Sequence, residues 1–212
     1  MRHAVLILMA CACLLPVQAQ ETDPPRQAQT LNAGWQYAPG PIQGAEATTF
    51  DDSDWTTVHL PHTWNAEDAF DEDDLSYRRG VGWYRRSLTV ADSLDGRRLF
   101  LYFEGANQVT DVHVNGAHAG QHVGGYTAFA YEITDLVDVG GENTIAVRVN
   151  NEHDLDIPPL DADFTFCGGI YRDVRLLATA PVHVEVTNHA SPGVFIDTPP
   201  ATALRFVSAR GL

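Results

Sequence analysis

The chain has 212 residues and a net charge of −15, from 28 acidic against 13 basic side chains. A surplus of that size repels phosphate backbones and anionic membranes, so neither nucleic acid nor a membrane surface is an expected partner, and its ordinary use is solubility. With 44% apolar residues and three cysteines, two of them inside one N-terminal apolar run, the fold must rest on a core and not on disulfides.

Residues 1–19 read as a secretory signal: a basic start at Arg2-His3, an apolar run from Ala4 to Leu15, and a small-residue exit at Val17-Gln18-Ala19. The run is too short to span a bilayer. Cleavage after Ala19 leaves Cys167 as the only thiol and implies export to a periplasmic or extracellular space. Lipidation at Cys11, after Leu8-Met9-Ala10, is the minor alternative. Residues 20–29, with Pro24-Pro25, are expected to be a flexible lead.

The first ordered stretch is residues 30–37, where Trp35 and Tyr37 alternate with Gln36 as in an edge strand, ended by Pro39-Gly40-Pro41. Phe50-Asp51-Asp52-Ser53-Asp54-Trp55 is a turn that points Trp55 inward, followed by a strand-like run at 57–60. Residues 68–74 carry five acids and form a loop. They lack the ligand spacing and glycine of a calcium loop, so a solvated surface is the stronger reading.

From residue 83 onwards short runs rich in β-branched and aromatic residues recur, at 83–90, 97–104, 109–115, 128–133, 144–150 and 171–178. No helical periodicity is sustained. Ile145, Val147 and Val149 alternate with Thr144, Ala146 and Arg148, the mark of a half-buried strand, whereas residues 99–103 are apolar on both faces and predict a central strand covered on each side. Asn115-Gly116 predicts a type I′ hairpin, because both central positions need positive φ. Together these runs predict an all-β fold, an antiparallel sandwich of jelly-roll type.

Residues 161–174, Asp-Ala-Asp-Phe-Thr-Phe-Cys-Gly-Gly-Ile-Tyr-Arg-Asp-Val, stand apart. Two carboxylates and alternating aromatics lead into a glycine pair between extended runs, which predicts a bulge or a close backbone approach at Gly168-Gly169. With Val149-Asn150-Asn151-Glu152, Ile157-Pro158-Pro159, Leu60-Pro61-His62-Thr63-Trp64, Gly80-Val81-Gly82-Trp83-Tyr84-Arg85-Arg86 and Val112-His113-Val114-Asn115-Gly116, this stretch resembles the N-terminal sugar-binding domain of family 2 glycoside hydrolases, the β-galactosidase and β-glucuronidase group. The resemblance covers residues 30–187.

It implies a galactose-binding-like jelly roll over residues 30–180. Residues 181–212 would then be a linker and the truncated start of an immunoglobulin-like β-sandwich domain, with Val182, Val184 and Val186 alternating along one strand and residues 191–196 forming another. Family 2 enzymes are retaining glycosidases whose paired glutamates sit on a (β/α)₈ barrel of about 250 residues, more than this chain holds. No catalytic residue, cofactor or metal is therefore expected here. By alignment on Gly169-Ile170-Tyr171-Arg172, the resemblance makes Asp163 the residue that binds hydroxyls of the terminal sugar once a barrel completes the site, with Asp161 as its understudy. The chemistry is sound on its own terms, since an ionised carboxylate accepts hydrogen bonds from two vicinal hydroxyls at once. The bland alternative is a turn carboxylate capping local amides.

Other residues admit two readings. His62 and Trp64, and the set Trp83, Tyr84, Tyr126 and Phe129, would suit a sugar platform but more often pack a core. Arg172 and Asp173 read as a salt bridge or strand-end contacts, and the nine histidines show no metal-ligand spacing. The leading expectation is the carbohydrate-binding module of an exported, β-galactosidase-like glycosidase, inactive by itself. A free-standing carbohydrate-binding module and the non-functional product of a truncated gene are the alternatives.

Overall fold

The computed structural model describes residues 24–66, 78–160 and 166–198. Among these are ten strands: β1 (Arg26–Thr30), β2 (Trp35–Pro39), β3 (Thr56–Val58), β4 (Val81–Thr89), β5 (Arg98–Phe103), β6 (Val109–Val114), β7 (Ala117–Val123), β8 (Phe129–Glu132), β9 (Glu142–Asn150) and β10 (Val174–Thr179). They form a four-stranded sheet in the order β1-β10-β5-β8 and a six-stranded sheet in the order β3-β2-β4-β9-β6-β7. Every pairing is antiparallel.

The period-2 pattern explains how the sheets face each other. Tyr84 and Leu88 of β4, Ile145, Val147 and Val149 of β9, and Val112 and Val114 of β6 point into one core. Leu99, Leu101 and Phe103 of β5 meet them from the other sheet, with Leu176 and Ala178 of β10. Each fully buried side chain of this size contributes about 1.5–3 kcal/mol of transfer free energy, so two such faces suffice without a disulfide.

Both outer faces are covered as well. Residues 41–55 lie over the six-stranded sheet, where Ile42, Phe50 and Trp55 pack on Ala45, Val81, Trp83 and Ala146. Ala146 is thus fully buried on the face that alternation assigns to solvent. Val186 and Ala190 cover Phe100, Ala130 and Leu177 on the four-stranded sheet, which makes β5 the doubly covered strand that its composition predicts.

The hairpin at Asn115-Gly116 forms as predicted, with Val114 opposite Ala117 and φ of 51° and 81° at the turn. Asn115 does more than tolerate that conformation. Its side chain donates to Leu136 O (2.9 Å) and Asn143 Oδ1 (2.7 Å) and accepts from the Thr144 amide (2.9 Å). Asn115→Ala adds left-handed strain and removes these bonds, and is expected to lower the unfolding free energy by about 2–3 kcal/mol in chemical denaturation. A loss below about 0.5 kcal/mol would contradict this account.

Three expectations are corrected. Residues 26–29, assigned to the flexible lead, belong to β1, whose backbone pairs with β10 from Arg26 opposite Thr179 to Thr30 opposite Arg175. Little in Arg-Gln-Ala-Gln-Thr marks a strand, because its side chains are mostly exposed and it is the backbone ladder that places it. Second, β2 is not an edge strand but lies between β3 and β4. Third, neither the run at 182–186 nor that at 191–196 is a strand. A strand needs a ladder partner, and without one the alternation places Val186 on Phe100 while Val182 is 94% exposed.

Candidate functional site

The segment 161–165, and with it Asp161 and Asp163, lies outside the described residues, as does the acidic loop at 68–74. Both flanks of the 161–165 segment are described, and the downstream one is held at one end of the sandwich by three buried amides, Asn65, Asn107 and Asn151. Asn65 Oδ1 accepts from the Gly168 amide (2.7 Å). Asn107 Nδ2 donates to Cys167 O (3.0 Å), and its backbone pairs with Gly169. Asn151 Nδ2 donates to Phe166 O (3.3 Å), and its Oδ1 accepts from the Gly80 amide (2.8 Å). On the upstream flank Gln108 Nε2 donates to Glu152 O (2.8 Å), and Ile157 is buried.

The glycine pair makes the close approach that its sequence predicts. A Cβ on Gly168 would run into the Trp64 ring and Asn151 Nδ2. Gly169 has φ of 113°, and a Cβ there would lie 2.5 Å from Tyr84 Oη and 2.7 Å from His62 O. Only glycine lets the backbone lie this low on the sheet while turning in the left-handed region.

Beneath it, aromatic rings fill the end of the core. Trp64 stacks on Tyr37 at 6.0 Å, Arg78 lies over Trp64 at 5.1 Å and donates to Tyr37 Oη (2.8 Å), and Arg79 lies over Phe166 at 5.1 Å. His62 Nδ1 and Tyr84 Oη are hydrogen bonded at 2.8 Å. Burial and, after it, the nearby Tyr37 hydroxyl push the Tyr84 phenol well above its ordinary range, against the opposing pull of the Ile170 backbone and the Arg78 guanidinium.

His62 and Trp64 are therefore packing residues, and Trp83, Tyr84 and Phe129 are buried in the core. Only Tyr126 of the four aromatics is substantially exposed, so they form no common platform. Asp173 makes strand-end contacts: it accepts from Asn32 Nδ2 (2.9 Å) and lies 3.5 Å from Arg175 Nη2, while Arg172 sits over the Tyr171 ring. The three clamp asparagines were missed because a polar residue beside a strand end reads as loop. The hints were that Asn65, Asn107 and Asn151 each follow a strand-like run directly or within a few residues, and that Asn151 lies in the Val149-Asn150-Asn151-Glu152 motif, which marked it without giving its role.

The chain as a whole resembles known proteins. A family model described as "Glycosyl hydrolases family 2, sugar binding domain" fits residues 30–181. The chain belongs to glycosyl hydrolase family 2. A beta-glucuronidase of Bacteroides fragilis is 45% identical over 172 residues, 81% of this chain and 23% of that protein. A beta-galactosidase of Thermoanaerobacter pseudethanolicus is 36% identical over 76% of this chain and 22% of its own length. The crystal structure of a Bacteroides uniformis beta-glucuronidase superposes with a TM-score of 0.77 at 46% identity, covering 82% of this chain and 20% of that one. This family 2 chain thus spans about a fifth of the length of relatives it matches.

Three half-buried histidines give a pH signature. His62, His113 and His122 are all held below the ordinary imidazole value, with burial the main cause in each; His118 adds repulsion at His113, and His189 at His122. A depressed folded-state value means that the unfolded chain takes up the proton first. Their contribution is complete above about pH 6.5 and is lost as pH falls below it. The drop in Tm between pH 7.5 and pH 5 is therefore expected to be smaller in His62→Gln than in the native chain; an equal drop would remove His62 from this account.

Proposed function

We propose that this chain is the sugar-recognition module of an exported, β-galactosidase-like family 2 glycosidase, and that Asp163, with Asp161 beside it, accepts hydrogen bonds from hydroxyls of the terminal sugar. The observation that supports this most directly is the clamp of Asn65, Asn107 and Asn151, which ties the downstream flank of the aspartate segment to three separate parts of the fold. A carboxylate that only capped its own turn would need no such support. Pinning a segment in advance lowers the ordering cost of binding, which is how a recognition loop gains affinity.

Hydrolysis itself belongs to a carboxyl pair about 5–5.5 Å apart on a barrel of about 250 residues, larger than this chain. The signal-like pattern of residues 1–19 supports export, with the activity then outside the cytoplasm.

The chain alone is expected to leave chromogenic β-galactosides and β-glucuronides intact. A chimera in which it replaces the matching 23% of the Bacteroides fragilis relative should hydrolyse one of them. Turnover by the purified chain, or a folded chimera without activity, would sink the proposal.

A further inference from the structure

A second feature lies where the edges of the two sheets meet, at β7 and β8. A pocket of about 240 Å³ is walled by His122, Phe129, Tyr131, Thr187, Asn188 and His189, none of which belongs to the asparagine clamp. Its floor is a ladder of parallel rings that rises from the core: Phe103 on Phe129 at 4.8 Å and 7°, then Phe129 on His122 at 4.3 Å and 14°. Phe103 and Phe129 are buried and His122 is half-buried, so the ladder ends in a flat ring at the surface.

The opposite wall is built at a cost. His189 and Ala190 both adopt positive φ, 51° and 48°, in a turn closed by the Ser191 amide on Asn188 O (3.0 Å). Left-handed backbone is unfavourable for residues with a Cβ, and glycine or asparagine would relieve it. Ala190 and Val186 hold the turn by packing on the cluster of Phe100, Ala130 and Leu177. The strained turn carries Asn188 and His189 to the pocket wall.

The wall chemistry selects the ligand. It offers the oxygen of Thr187, whose hydroxyl proton goes to Glu185, a carboxamide from Asn188, the imidazoles of His122 and His189 and the Tyr131 phenol, with neither a carboxylate nor a lysine or arginine in the lining. The one carboxylate bonded to a lining residue, Glu185, is taken up by the Thr187 amide and hydroxyl, so a cation finds no counter-charge in the lining itself. An anion finds little, because burial and His189 depress the His122 imidazole towards its neutral form. Neutral donors and acceptors around a flat aromatic end suit a molecule with several hydroxyls and one apolar face.

We propose that this pocket is a second binding site, for one neutral pyranose ring, its apolar face on the ring ladder and its hydroxyls on Thr187, Asn188 and His189. The site stands whether or not Asp163 binds sugar.

The test is a titration of the 212-residue chain with methyl β-D-glucopyranoside, followed by protein-observed NMR, with inorganic phosphate as the anionic arm. A small ring on an open site should bind with a Kd of roughly 1–10 mM. Saturable shifts at His122, Thr187, Asn188 and His189, weakened at least about fivefold in both Asn188→Ala and Thr187→Val, are expected. The same spectra show that each variant is folded. No shifts up to about ten times that Kd, or equal binding by both variants, would overturn the site. Shifts confined to residues 166–169 would also overturn it, while leaving the reading of Asp163 standing. Response to phosphate and not to the glycoside would overturn the neutral-sugar assignment.

Discussion

Asp163→Asn, made in the chimera with the Bacteroides fragilis relative, is expected to lower kcat/KM about ten- to hundredfold and to leave Tm within roughly 2 °C. The first figure follows from what the carboxylate does. Hydrogen bonds to a charged acceptor contribute on the order of 1.5–3 kcal/mol, and an amide keeps one acceptor oxygen but loses the charge and presents donors to hydroxyls that need an acceptor. The second follows from what it does not do, since a side chain kept for ligand contributes at most about 0.5 kcal/mol to the fold. A carboxylate that capped local amides would show the reverse pattern. A lowered Tm with unchanged kcat/KM would assign Asp163 to the fold and remove it from recognition.

The stability counterpart is Arg85→Ala, expected to cost about 3–5 kcal/mol, or roughly 6–20 °C in Tm. Arg85 is 3% exposed and binds the segment that covers the six-stranded sheet. Its guanidinium pairs with Asp52 at 2.9 Å, donates to Ala45 O, to Ala47 O (3.1 Å) and to Phe50 O (3.5 Å), and lies over the Phe50 ring at 5.4 Å. Truncation strands the Asp52 carboxylate and three carbonyls together, and it loosens the lid on Trp83 and Ala146. Chemical denaturation of the variant reads the cost directly. A loss under about 1 kcal/mol would mean that residues 41–55 hold by apolar packing alone.

The difference between those two residues shows what can be read along a chain. Asp163 can be proposed from the sequence alone because it lies six residues before Gly169-Ile170-Tyr171-Arg172, a short ordered motif on which the resemblance aligns it. Arg85 is not, because it lies in an alternating strand on the face that the pattern assigns to solvent. Its burial depends on a loop some 35 residues earlier returning over it. The clamp role of Asn65, Asn107 and Asn151 escaped for the same reason: each is an ordinary polar side chain until the chain brings Phe166–Gly169 against it.

By itself the sequence determined the local order of this protein. The period-2 runs set which side chains share a sheet face, Asn115-Gly116 set a hairpin register, and Gly168-Gly169 set a place where no side chain fits, because each is decided by the backbone preferences and spacing of neighbouring residues. Tertiary structure decided what depends on distant partners. It recruited Arg26–Thr30 into a sheet through its backbone ladder with β10, and buried Ala146 beneath residues 41–55. It denied strand structure to 182–186 for want of a ladder partner, and it joined His122 to His189 across a pocket. These outcomes follow from contacts made at long range, and such contacts leave no periodic trace in the residues that make them.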